Sequence, residues 1–95
     1  HFHGIHTAAM DGVPGQGAGL IEPGQFTSYE FNAEPFGLHL FHCHANPLAE
    51  HIARGMFGTL IIDPPEGRPE ADEMVMVQAG WNTTLDGQGN QFYFV

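Results

Sequence analysis

Phe41-His42-Cys43-His44, running on through Ala45-Asn46-Pro47-Leu48-Ala49-Glu50-His51-Ile52-Ala53-Arg54-Gly55-Met56, concentrates most of the reactive chemistry of this chain. It holds the only cysteine, three of the seven histidines and one of the four methionines. Cys43, His51 and Met56 bring a thiolate, an imidazole and a thioether into one short loop. With one more imidazole, that is the donor set of a blue copper centre: two His and one Cys in a plane, with a long axial Met. An unpaired cysteine can also be buried as a small hydrophobe. That alternative leaves the two histidines flanking Cys43 without a role.

Working outward, Gly37-Leu38-His39-Leu40-Phe41-His42-Cys43-His44 follows a Pro-Phe-Gly turn and reads as a buried strand. Side chains alternate faces along a strand. Cys43 therefore shares a face with Phe41 and His39, and His42 and His44 point the other way. One strand end can then touch two metal sites on opposite faces, joined by a few covalent bonds. Beyond it, Asn46-Pro47 resembles a helix start with proline at the first helical position, and Leu48 to Arg54 allows about two turns. That helix returns His51 towards Cys43. Phe57 to Ile62 is a further strand, ended by Asp63-Pro64-Pro65.

Upstream, His1-Phe2-His3 sets two imidazoles at strand spacing on one face, suited to one metal or two adjacent ones. His6 reads as a solvated loop histidine, with a metal ligand as the alternative. Thr7 to Gly24 is a glycine-dense loop with turn signals at Asp11-Gly12, Val13-Pro14-Gly15 and Glu22-Pro23-Gly24. Asp11 is a candidate outer-shell proton relay, with a plain turn aspartate as the alternative. Gln25 to Asn32 alternates as a strand, Thr27, Tyr29 and Phe31 against Phe26, Ser28 and Glu30. With residues 33–37 as connection, it forms an expected hairpin with the cysteine-bearing strand. Pro64 to Glu73 has linker composition. Met74 to Gln78 is expected as a new strand with Met74 and Met76 in its core, Gly80 to Asn90 as a polar loop, and Gln91 to Val95 as a last strand.

Ninety-five residues with two Lys+Arg against eleven Asp+Glu carry a formal charge of −9. Such a surface repels phosphate backbones, which excludes nucleic-acid binding. No apolar run is long enough to span a membrane as a helix. The chain opens inside a histidine motif and stops within a strand-like run, so we expect an internal piece of a longer protein.

His1-Phe2-His3-Gly4 with Met10-Asp11-Gly12, the His-Cys-His loop through His51 and Gly55-Met56, and Phe57 to Pro64 together resemble the copper motifs of multicopper oxidases, the laccase-like enzymes. Both motifs lie within sixty residues and are followed by a linker, an order similar to that of two-domain members whose type 1 copper is in the first cupredoxin domain. The resemblance implies an all-β fold, a partial cupredoxin-like Greek-key β-sandwich or barrel. Residues 1–63 would form the C-terminal part of the first cupredoxin domain, 64–73 the linker and 74–95 the opening strands of a second.

By position, the resemblance implies type 1 copper at Cys43, His51 and Met56. It implies type 2 copper at His1 and the type 3 pair at His3, His42 and His44, with Asp11 near the cluster's water channel. A further type 1 histidine and four cluster histidines would come from outside this chain. The implied activity takes single electrons from a small reducing substrate, through type 1 copper, to a trinuclear cluster that reduces dioxygen to water. A homotrimer in the periplasm or secreted is implied as well. Copper nitrite reductase is the alternative, although that family carries aspartate at the position of His1 and no histidine after the cysteine. A simple blue-copper electron carrier would leave His1, His3, His42 and His44 idle. A copper clasped by His1 as a true amino terminus would leave Cys43 and Met56 idle.

Overall fold

Strand β1, Gly37–His42, has both hydrogen-bonding edges occupied, and this decides what surrounds it. Along one edge runs β2, Phe57–Ile62, antiparallel, in a register from Gly37 opposite Ile62 to His42 opposite Phe57. Along the other edge lies the first segment. The His1 amino group donates to the His42 carbonyl at 2.8 Å, and His42 N–H donates back to His1 at 3.1 Å. His3 N–H donates to the Leu40 carbonyl at 2.8 Å, and Phe2 bridges to Phe41. The computed structural model describes residues 1–17, 19–81, 84 and 91–94.

The occupied edges overturn the expected hairpin between residues 25–32 and β1. A strand offers only two edges to neighbours, and β2 and the His1–His3 segment hold both. Residues 25–32 accordingly join no ladder. Their alternation survives all the same. Tyr29 and Phe31 are half-buried, with ring centroids 6.2 and 5.7 Å from that of Phe2, while Phe26, Ser28 and Glu30 are exposed.

Helix α1, Leu48–Ala53, is one residue shorter than expected, because Arg54 caps it and Pro47 stands before its first turn. The chain then turns at Gly55, whose φ of 93° favours glycine. Met56 N–H donates to the His51 carbonyl at 3.1 Å, which closes the turn. The next strand begins four residues later than expected: β3 is Gln78–Trp81, paired antiparallel with β4, Gln91–Phe94. Met74 and Met76 are 85% and 65% exposed, so they are not core. Val75 and Val77 take the inner side instead. Of the expected Gly80–Asn90 loop, Gly80 and Trp81 belong to β3, and residues 82–83 and 85–90 lie outside the described residues, as does Val95.

The β1–β2 layer is packed on one face only. On one face the Phe41 ring fills the space that a Gly58 side chain would need. The other face leaves Leu38, Leu40 and Ile61 exposed at 60%, 45% and 37%. Among the described residues, the buried apolar side chains are Val13, Ala53 and Ile62. The radius of gyration is 15.4 Å, whereas a closed domain of this length has about 12 Å. A sheet face is stable when a second layer covers it, and no described element covers this one.

One consequence concerns Gly55. A Cβ there would enter the Trp81 ring, and the positive φ disfavours any L side chain. Forcing φ costs about 1–2 kcal/mol, and overpacking costs about 1–3 kcal/mol. Gly55→Ala is expected to lower thermal stability by the sum of these, with a matching fall in denaturant midpoint.

Candidate metal centre

Strand β1 ends where its alternation separates two groups of donors. On one side, Cys43 Sγ lies 3.4 Å from His51 Nδ1, brought back by α1. The Cys43 N–H donates to the Met56 carbonyl at 2.9 Å, which ties the methionine's backbone beside the thiol. The Met56 side chain is 52% exposed. A thiol sulfur and an imidazole nitrogen, with a thioether carried by the adjoining turn, are donors that suit copper.

On the other side, His3 Nε2 and His42 Nε2 face each other at 2.8 Å. His42 Nδ1 donates to the Cys43 carbonyl at 2.7 Å, so its Nε2 presents a lone pair towards His3. The rings of His42 and His44 stack with centroids 5.6 Å apart. His1 lies edge-on to both His3 and His44, at 4.7 and 5.8 Å. All four histidines therefore gather on the face away from Cys43. The His42–Cys43 hydrogen bond links the two groups through the backbone of one residue. Among the described residues, no three His, Cys, Asp or Glu side chains surround a single point. The donors come as pairs.

Asp11 is fully buried. Its oxygens lie 3.0 and 2.9 Å from His1 Nδ1 and accept the Phe2 N–H at 2.9 Å. A carboxylate in that position holds the Nδ1 hydrogen and leaves His1 Nε2 free, the usual support of a metal-ligating histidine. Its geometry is thus that of an anchor for His1.

His6 corrects the expectation of a solvated loop residue. Its side chain is 3% exposed, with Nε2 3.6 Å from Asp11 and the ring 4.8 Å from Phe31. The loop folds back over Phe31, which no local pattern signals. His39 shares the Cys43 face but is no donor to it. Its nitrogens lie 3.1 Å from the His3 carbonyl and 2.9 Å from the Pro35 carbonyl.

The His3 imidazole is held below its ordinary pKa, first by partial desolvation, then by positive charge at His42, the amino terminus and His44, with Asp11 opposing. Between the lowered and the ordinary value the unfolded chain binds more protons. The sign is therefore a contribution fully present at pH above the ordinary imidazole value and lost as pH falls from there through the lowered one.

Sequence reading passed over Trp81. Its ring lies on Gly55 and 5.9 Å from Phe57. The one signal available was that it is the chain's only tryptophan.

A family model described as multicopper oxidase matches residues 1–67. The copper-containing nitrite reductase of Neisseria meningitidis serogroup A is 35% identical over 83 residues, covering 82% of this chain and 22% of that protein. L-ascorbate oxidase of Cucumis sativus is 33% identical over 88 residues, covering 85% of this chain and 14% of that enzyme. A crystal structure of a multicopper oxidase matches with a TM-score of 0.80 and 58% identity, over 99% of this chain and 33% of that one. The chain spans less than a quarter of the length of these two curated relatives. Strand content and the structural match define part of an all-β cupredoxin fold. The chain belongs to the multicopper oxidase family.

Proposed function

We propose that the whole protein is a copper-dependent oxidase that takes single electrons from a small reducing substrate and reduces dioxygen to water. Cys43, His51 and Met56 would serve type 1 copper, His1 type 2 copper, and His3, His42 and His44 the type 3 pair. The observation that carries this reading is the end of β1. Cys43 meets His51 on one side, while His42 and His44 gather with His1 and His3 on the other. When bound, copper supplies the one-electron redox chemistry and the dioxygen reduction, which belong to the metal rather than to any side chain. The chain's own part is orientation: Asp11 fixes His1, and α1 returns His51 to Cys43.

Residues 64–73 are read as a linker and 74–95 as the opening of a second cupredoxin domain. The family match ends at residue 67, and β3–β4 form a sheet separate from β1–β2, which supports this division. The chain makes up 33% of the solved relative but the aligned part only 14% of ascorbate oxidase, which favours the shorter, two-domain build. A homotrimer follows in this reading, since head-to-tail contacts between first and second domains close as a ring. A periplasmic or secreted location is part of the same proposal. No described helix is long and apolar enough to cross a membrane.

Nitrite reduction is the second reading, favoured by the nitrite reductases among the relatives. His1 and His44, both within the histidine group, weigh against it. Copper content per chain of the full-length protein, with its optical spectrum, separates these readings. Four coppers and oxygen uptake are expected; two coppers with nitrite turnover would overturn the oxidase. Sedimentation of the copper-loaded protein is expected to give a trimer, and a fully active monomer would refute the ring.

Asp11→Asn keeps the side-chain shape and removes the charge that holds the His1 Nδ1 hydrogen. Loss of such a partner costs about 10–100-fold in affinity or activity. Oxygen uptake is expected to fall by that factor with the blue band unchanged.

A further inference from the structure

The turn between His51 and Met56 closes at a glycine. Gly55 adopts a φ of 93°, and its N–H donates to the Ile52 carbonyl at 2.9 Å. What fills the space over it is Trp81, from β3, beyond the linker. The indole lies so close that a methyl group on Gly55 would occupy the same volume as its six-membered ring. The same ring tilts against Phe57, the residue after Met56, at 5.9 Å between centroids. Trp81 therefore touches both neighbours of Met56 in sequence, and β3 packs on α1, the helix that carries His51.

We propose that Trp81 is a positioning residue for the Cys43–His51–Met56 donors, clamping the glycine turn so that Met56 is presented in one place. The proposal rests on the copper reading given above for those three residues. Its physical basis is conformational. A glycine turn has more backbone freedom than any other, and Met has three rotatable bonds. Without a lid, a half-exposed Met56 would sample many positions. A flat, rigid ring over Gly55 removes that freedom without adding a ligand. Because axial contact and the apolar surroundings of the sulfur tune blue-copper potentials, the segment after the linker influences the electron-accepting site from outside its donor set. Water admitted beside the copper would favour its oxidised form, so loss of the ring should lower the potential.

The test uses the full-length protein with Trp81→Ala and Trp81→Phe. In the copper-loaded form, Trp81→Ala is expected to lower the type 1 reduction potential and shift the visible band, with copper retained. Trp81→Phe, which keeps a ring on Gly55, should stay near wild type. In the copper-free form, Trp81→Ala should speed alkylation of the Cys43 thiol, whereas Trp81→Phe should not. If the alanine variant does not fold, Trp81→Leu replaces it, since it keeps apolar bulk without the flat ring, and the same shifts are expected. A blue wild type whose alanine or leucine variant keeps potential and spectrum overturns the clamp. A wild type without a blue band instead refutes the copper reading, and the alkylation rates then decide the clamp alone: unchanged rates overturn it.

Discussion

Cys43→Ser is expected to bleach the copper-loaded full-length protein and stop electron uptake from the reducing substrate. The two side chains are nearly the same size, and Cys43 is a half-buried free thiol, so the fold should survive. What changes is the donor. A thiolate is soft, and a neighbouring cation or a bound metal favours it over the thiol. A serine hydroxyl stays protonated and hard. Sulfur-to-copper charge transfer, the source of intense blue colour in such sites, then has no sulfur to start from. His51 Nδ1, now 3.4 Å from Sγ, would keep only a weak hydroxyl neighbour. The measurement is the visible spectrum together with copper content and circular dichroism. An intense band surviving in a folded Cys43→Ser protein would remove Cys43 from the site.

The part of this arrangement legible in the sequence is the part governed by short-range geometry. Alternation around Cys43 predicted which histidines lie on which side, and the structure gathers His42 and His44 away from His51 as that period requires. The helix that returns His51 was likewise visible, because proline, a short apolar run and glycine are local signals. What was not visible depends on competition between distant segments. The hairpin with residues 25–32 failed because the His1–His3 segment, nearly forty residues away from β1 in sequence, takes the edge it needed. Period two was right for Met74 to Val77, but period alone does not say which side is covered, and Met74 and Met76 face outward. The burial of His6 has the same kind of cause: it comes from Phe31 and Asp11, brought together by a loop without a pattern. The Trp81–Gly55 contact joins residues on either side of the proline-rich stretch 64–73, and nothing in either neighbourhood announces it.

His3→Ala tests the opposite face of β1, and tests it more cleanly than a change at His42 or His44. Those two residues adjoin Cys43 in the chain, so any backbone shift they cause reaches the thiol directly. His3 reaches the histidine group from a separate segment, held by its own N–H to the Leu40 carbonyl at 2.8 Å, a bond that alanine keeps. The substitution removes one of the two nitrogens facing each other at 2.8 Å and leaves His42 Nε2 without its partner. It also removes the ring on which His1 packs edge-on at 4.7 Å. The His3 side of the site is not needed to hold Cys43, His51 or Met56, whose contacts run through α1 and the Gly55 turn. Dioxygen consumption is therefore expected to drop to background while the blue band stays and can still be bleached by a chemical reductant. Electrons would enter and find no route onward. Rapid-mixing absorbance separates the outcomes: reduction of the blue site at the wild-type rate, followed by no reoxidation in air, is the expected trace. A variant that lost its colour yet still consumed dioxygen would show that the two faces of β1 had been assigned the wrong way round.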